Sequence, residues 1–155
     1  PLTGVMNRRS FFDAGAPFFG TDATSPLALL MLDIDHFKHI NDAHGHGGGD
    51  LVLQEFTRRC ASLMPSGARF ARFGGEEFAM LLPGATRAAA RHSAECLRAC
   101  IEAGPFRVAS AKLPVTVSVG ATGRLPGDTL DAMISRADKA LYEAKRLGRN
   151  RVFMD

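Results

Sequence analysis

Leu27-Ala28-Leu29-Leu30-Met31-Leu32 is an unbroken apolar run that ends in Asp33-Ile34-Asp35. A strand with one wet face alternates apolar and polar residues, whereas this run offers water no face at all. It predicts a strand covered on both sides that surfaces only at its acidic end. A chain built around such a strand needs a layer on each side of its sheet, and helices supply those layers. Strand periodicity puts Asp33 and Asp35 on one face. Two carboxylates there repel unless something positive sits between them. Mg²⁺ is the usual solution, a hard ion held by one or two carboxylates together with substrate phosphates. The backbone carbonyl of Ile34 offers a further ligand.

A second pair of acids follows two glycines in Phe73-Gly74-Gly75-Glu76-Glu77-Phe78. A Gly-Gly pair between strand-like runs predicts a two-residue hairpin, entered by residues 69–73 and left by residues 78–82. Glycines also let a phosphate or base approach the backbone closely. If this hairpin lies beside residues 27–32, Glu76 or Glu77 arrives next to Asp33. Carboxylates converging from two strands suit phosphoryl or nucleotidyl transfer with one or two metal ions. Aspartic proteases and glycosidases also use paired carboxylates. With no Trp and one Tyr, the chain has no sugar-stacking aromatics near these acids, which ranks that use lower.

The remaining pattern predicts a mixed α/β domain with hairpin-type connections. Asn7 suits the N-cap of a helix from Arg8. Phe37 to Asn41 reads as a short helix, residues 45–49 as a glycine-rich turn, and Asp50 as the cap of a helix over 51–64. An alanine-rich helix is expected over 85–103, a strand over 115–119, and a last long helix capped by Asp128 and ended by Gly148. Its apolar stripe is Leu130, Ile134, Ala137 and Leu141. Residues 151–153 read as a short final strand.

At 155 residues and 46% hydrophobic content, the chain is sized for one domain over 1–155 with a proper core. Its opening at Pro1-Leu2-Thr3-Gly4 predicts a domain drawn from a longer protein with an N-terminal regulatory part. No secretory signal opens the chain, and no apolar run reaches the roughly 18 residues of a membrane-spanning helix. A net charge of +3, with basic residues scattered until residues 145–151, argues against a nucleic-acid-binding face. Cys60, Cys96 and Cys100 lie in amphipathic helices and read as small buried thiols of a reducing cytoplasm. His36, His39, His44 and His46 follow no zinc-ligand spacing and read as surface or turn residues. His92 reads as a lone exposed histidine.

Two further pairs carry open alternatives. Asn41 and Asp50 flank the glycine-rich turn and could read the edge of guanine, because a carboxylate accepts from both the ring N–H and the exocyclic amine. Each could equally be a helix terminator or an N-cap. Lys145 and Arg149 would share a helix face if the helix continued past Gly148, forming a phosphate clamp. Alternatively they compensate a helix C-terminus.

Together these segments resemble the GGDEF family, the diguanylate cyclases. Residues 2–9, Leu-Thr-Gly-Val-Met-Asn-Arg-Arg, resemble the opening LTGLxNRR element. Residues 33–42 and 45–50 resemble DxDxFKxIND followed by GHxxGD. Residues 72–78 resemble RxGGEEF, and residues 137–150 resemble ADxALYxAKxxGRN. Four such elements in order cover nearly the whole chain.

The resemblance implies a central, mostly antiparallel sheet wrapped by helices, like the palm of nucleotide cyclases and polymerases. It implies condensation of two GTP into cyclic di-GMP with release of two pyrophosphates, in bacterial signalling. Asp33, the Ile34 carbonyl and Glu76 would bind Mg²⁺, or Mn²⁺ in its place. Asp33, Glu76 and Glu77 would be the catalytic acids, with Asp35 and Glu77 as supporting carboxylates. Asn41 and Asp50 would read guanine, and Gly74 and Gly75 would let the triphosphate lie across the turn. Phe37, Lys38, Lys145 and Arg149 complete the implied substrate contacts, the three cations by neutralising phosphates. Each domain would hold one GTP, so the active unit would be a homodimer. An upstream sensor domain would regulate it, and the catalytic domain would work in the cytoplasm.

Two departures stand out. The family's product-inhibition site is an Arg-x-x-Asp ending five residues short of the first glycine of the motif. Pro65-Ser66-Gly67-Ala68 stands there, so no inhibitory site is expected. The acidic residue that usually precedes the opening Leu-Thr-Gly is absent, because the sequence starts at Pro1. Alternatives are a non-catalytic GGDEF module that binds GTP or a partner and regulates a fused domain, and a cyclase making a mixed GMP–AMP product. The latter subgroup carries serine at the guanine-reading aspartate, and Asp50 argues against it.

Overall fold

The computed structural model describes residues 2–20 and 23–155. Strand β2 (Leu27–Ile34) is buried along all its length, as its composition requires. It sits inside a six-stranded sheet of order β1-β3-β4-β2-β7-β8. The partners are β1 (Met6–Asn7), β3 (Arg69–Arg72), β4 (Glu77–Pro83), β7 (Val117–Gly123) and β8 (Val152–Met154). The four central strands pair antiparallel, while β1 joins β3 and β8 joins β7 in parallel.

Each face of the sheet has its own helices. Even-numbered residues of β2 (Ala28, Leu30, Leu32, Ile34) pack with Val52, Phe56 and Cys60 of α2 (Phe37–Leu63) and with Ala90, Ala94 and Leu97 of α3 (Arg87–Glu102). Odd-numbered residues (Leu27, Leu29, Met31) pack with Phe11 of α1 (Arg8–Gly15) and with Met133, Ala137 and Leu141 of α4 (Leu130–Arg146). The alternation puts Asp33 on the α1–α4 side. Burying Leu29, Leu30 and Leu32 completely contributes about 2 kcal/mol each.

Local caps account for the helix starts. The Asn7 side chain accepts from the Ser10 N–H at 2.8 Å, as expected. Thr86 caps α3. Thr129, not Asp128, caps α4, accepting from Ala132 N–H at 3.1 Å. Asp128 is otherwise engaged: it accepts from Leu125 N–H and pairs with Arg136 at 2.7 Å.

Other expectations change as well. The glycine-rich turn is a kink at one residue, Gly45 (φ 72°, ψ 174°), inside α2. Gly47, Gly48 and Gly49 are wound into the helix, so Asp50 lies within it and is not its cap. Glycine at 49 is required by proximity: a side chain there would collide with the Asn41 amide and come within 3.2 Å of Phe37. A small hairpin, β5 (Phe106–Val108) with β6 (Ala111–Leu113), was not expected from the sequence. The strand foreseen over 115–119 begins at Val117 and runs to Gly123. Cys60 is buried as anticipated, but Cys96 is exposed and Cys100 only half-buried. Cys96 Sγ lies 3.6 Å from His92 Nε2, so that exposed histidine is not isolated.

The tightest approach in the fold is β7 against α4. A Cβ on Gly120 would come within 2.8 Å of Leu141 Cα and would overlap the Ala137 carbonyl and the Leu141 amide. Gly120→Ala should therefore lower stability by about 3 kcal/mol in urea unfolding, because backbone cannot yield as a side chain can. An unchanged midpoint would contradict this packing.

Candidate functional site

Antiparallel register sets Asp33 opposite Glu77 on β4 and opposite Ser118 on β7. The Ile34 N–H donates to the Glu76 carbonyl at 3.3 Å, so Glu76 is the next residue along this edge. The sequence-derived meeting of Asp33 with both glutamates is therefore present. Asp33 is buried, Glu76 half-buried and Glu77 exposed. From the other side, Lys145 of α4 brings its Nζ to 2.9 Å from Asp33 Oδ2. Burial pushes the Asp33 carboxyl up to about 6, and the charges of Glu76 and Glu77 push the same way. The Lys145 contact opposes them without cancelling them.

Asp35 is differently employed. Thr116 Oγ1 and Ser118 Oγ donate to it at 2.7 and 2.6 Å, and the Asn150 N–H donates at 3.0 Å. Its charge is met by three donors, and it ties the end of β2 to β7 and to the tail after α4.

The glycine turn is wider than a two-residue hairpin. Phe73 N–H donates to the Glu77 carbonyl at 2.8 Å, leaving Gly74, Gly75 and Glu76 as a three-residue loop. Neither glycine takes a positive φ, so left-handed backbone is not what requires them. A Cβ on Gly75 would meet nothing within 4 Å, and space lies open above the loop. The Arg72 guanidinium steadies it by donating to the carbonyls of Gly74 and Gly75 at 2.8–3.2 Å.

Beside this loop, α2 begins without a side-chain cap. Its first flanking residue, His36, is left-handed (φ 55°), and the first turn holds no acid. The leading N–H groups of the helix thus face outward with their partial positive charge, which suits an anion. The Phe37 side chain is buried in the core, so what Phe37 can offer a ligand is its N–H. Lys38 is exposed in the same turn. Along α2, Asn41 packs its amide against Gly49, the neighbour of Asp50 in the chain.

Lys145 and Arg149 do not share a helix face. The helix ends at Arg146, and Arg149 is left-handed (φ 64°) and exposed. Sequence reasoning assigned no role to Arg8, Asp138 or Tyr142. All three line a cleft of about 280 Å³ with Glu77 and Lys145. Burial, then the Glu77 charge, raises the Asp138 carboxyl above its ordinary value, against Arg8 and Lys145. The seven-residue spacing of Asp138 and Lys145 on one helix was the available signal. Roomier clefts, about 610 and 530 Å³, lie around Arg124 and Leu125, by the start of β2 and far along the strand from the carboxylates. Among the described residues, no three His, Cys, Asp or Glu side chains gather as a metal cage. No described helix is long and apolar enough to cross a membrane.

A family model described as diguanylate cyclase, GGDEF domain, matches residues 1–151. Diguanylate cyclase VdcA of Vibrio cholerae is 42% identical over 154 residues, covering 97% of this chain and 45% of the relative. The GGDEF domain of DgcB from Caulobacter crescentus, solved with c-di-GMP, superposes with a TM-score of 0.91 at 35% identity, covering 99% and 90% of the two chains. Diguanylate cyclase SiaD from Pseudomonas aeruginosa, solved with its activator SiaC, gives 0.92 at 36% identity, covering 100% of this chain and 60% of that one. The chain spans less than half the length of the curated relatives VdcA, DgcP and PleD.

The raised Asp33 carboxyl has a pH signature. The folded protein holds this proton up to about 6, whereas the unfolded chain releases it near 3.8. Stability from this group is thus complete below pH 4 and is lost as pH rises through 6. In metal-free protein, Asp33→Asn should raise unfolding free energy at pH 7.5 by about 3 kcal/mol, shrinking to nothing near pH 4. Denaturant melts across that range would show it. A gain that does not vary with pH would contradict the assignment.

Proposed function

The chain belongs to the GGDEF family of diguanylate cyclase domains, and from that membership we propose that it condenses two GTP into cyclic di-GMP with release of two pyrophosphates. One observation carries the reading. At the open end of β2, a cation-seeking field (Asp33 beside Glu77, with Glu76 adjoining) meets an anion-seeking one, the uncapped start of α2 with Lys38. A metal–nucleotide triphosphate presents both charges.

Asp33, the Ile34 carbonyl and Glu76 would hold Mg²⁺, or Mn²⁺ in its place. The donor set fits: it is all oxygen, and the Asp33 carboxyl, raised first by burial and then by the charges of Glu76 and Glu77, is a group whose ionised form a hard cation would favour. Two carboxylates and a carbonyl leave positions for phosphate oxygens and water, the usual way this ion is bound. When bound, the ion supplies positive charge at the reacting phosphate and lowers the pKa of the attacking hydroxyl.

The chain's own groups do the rest. The N–H groups of Phe37 and Lys38 donate to the phosphate oxygens, and the bare Gly74-Gly75 loop leaves room for the phosphates to lie across it. Lys145, already at Asp33, and Arg149 neutralise the phosphate charge. Asp50 accepts from guanine N–H groups with Asn41 beside it. Glu77 is a supporting carboxylate. The 3′-hydroxyl of one GTP attacks the α-phosphorus of the other, and pyrophosphate leaves in line. Each domain offers one such site, so two copies must face each other for reaction.

Pro65, Ser66, Gly67 and Ala68 lie in the turn between α2 and β3 and bring no charge to the position of the product-inhibition motif. Feedback through that position is therefore absent. A regulatory domain upstream and a cytoplasmic site of action complete the reading.

With GTP and Mg²⁺, mass spectrometry should find cyclic di-GMP. Asp33→Ala should lower its formation more than about 100-fold while circular dichroism stays unchanged. Undiminished product from that variant would refute the metal assignment. Asp50→Ser should narrow the preference for GTP over ATP by about 10- to 100-fold, read from kcat/KM for each nucleotide. An unaltered ratio would remove Asp50 from base reading. Micromolar cyclic di-GMP should leave the initial rate unchanged, and strong non-competitive inhibition would reveal a different regulatory site.

A further inference from the structure

The tail after α4 takes three consecutive positive-φ residues: Gly148 (121°), Arg149 (64°) and Asn150 (45°). Side chains disfavour that region, so two non-glycine residues in a row need outside support. Asn150 has it from three directions. Its N–H donates to Asp35 Oδ2, its Oδ1 accepts from Arg98 Nη1, and its Nδ2 donates to Glu102 Oε1, each at 3.0 Å. Asp35 is fixed in turn by Thr116 and Ser118 of the β7 edge. Arg149, between Gly148 and Asn150, donates its N–H to the Ala144 carbonyl at 3.0 Å. Its guanidinium is exposed and makes no ion pair among the described residues.

Anchoring the final strand does not explain these bonds. Strand β8 is already paired with β7, and Val119 N–H donates to the Arg151 carbonyl at 2.9 Å. The Asn150 side chain acts upstream of that strand. It fastens the turn carrying Arg149 both to the acidic end of β2, two residues beyond Asp33, and to the outer face of α3.

We propose that Asn150 is a positioning residue for the nucleotide. It fixes the backbone of the turn that carries Arg149 beside the acidic end of β2, so that only the Arg149 side chain remains to be ordered when it meets the triphosphate. Arg98 and Glu102, remote from the carboxylates, act through Asn150. This role rests on the GTP reading above. Ordering a loose turn on binding costs affinity that a turn already fixed keeps.

The test compares Mg²⁺-dependent affinity for a non-hydrolysable GTP analogue, by calorimetry, with affinity for guanosine, by NMR. Asn150→Gly keeps the backbone N–H, tolerates the left-handed backbone and removes the side chain that reaches Arg98 and Glu102. Arg98→Ala removes the far anchor from a helix surface. Both should weaken the GTP analogue about 3- to 10-fold and leave guanosine unchanged. Asn150→Gly combined with Arg149→Ala should bind no more weakly than Arg149→Ala alone, because the two act as one unit. Equal losses for guanosine and the analogue would mean a general structural role and overturn the proposal. So would additive losses, parent-like affinity in Asn150→Gly, or no loss in Arg149→Ala. A parent protein that binds neither ligand would overturn the nucleotide reading itself, and this role with it.

Discussion

The carboxylate of Asp33 stands where the central strand leaves the core, and much of the molecule is arranged around that charge. Burial raises its pKa, and two glutamates from the adjoining hairpin push the same way. Lys145 answers from α4, but the group still titrates near 6. A buried carboxyl left short of compensation is costly to folding and useful to a ligand that brings positive charge. The sheet has to bring the hairpin alongside β2, and α4 has to lie close enough for Lys145 to reach. The close contact at Gly120 is what lets α4 lie that near.

Two neighbouring carboxylates at the end of β2 take different parts. Asp33 keeps one cation and faces the glutamates. Asp35 spends its charge on two hydroxyls and a backbone N–H. The first is available to a metal, while the second locks β2, β7 and the tail after α4 into one frame. The left-handed turn of Arg149 and Asn150 depends on that frame. Rigid support behind exposed ligands is what lets a small domain hold a highly charged substrate in one pose.

Much of this was legible in the sequence because periodicity carries it. The apolar run of β2, the hairpin after Gly75 and the stripe of α4 each repeat long enough to announce a face, and strand register then put Glu77 opposite Asp33. What was not legible depends on distant partners. Thr116 and Ser118 lie 81 and 83 residues from Asp35 along the chain. The run of glycines after Gly45 looks like a turn by propensity yet lies in helix, where Gly49 leaves room for the Asn41 amide, a contact no local pattern announces. Strands β5 and β6 are three residues each, too short for an alternating pattern to show. The end of α4 was placed correctly at Gly148, yet the backbone of the next two residues carries no composition signal, and it decides where Arg149 goes.

The central claim is that carboxylates and helix N-terminus form one composite site, each half incomplete alone. It is tested most directly by measuring affinity for a non-hydrolysable GTP analogue at pH 7.5, with Mg²⁺ and with the metal chelated. The account predicts that chelation weakens binding by more than about tenfold, because the phosphates would then face Asp33 and Glu76 uncompensated. Equal affinity in both conditions would contradict it.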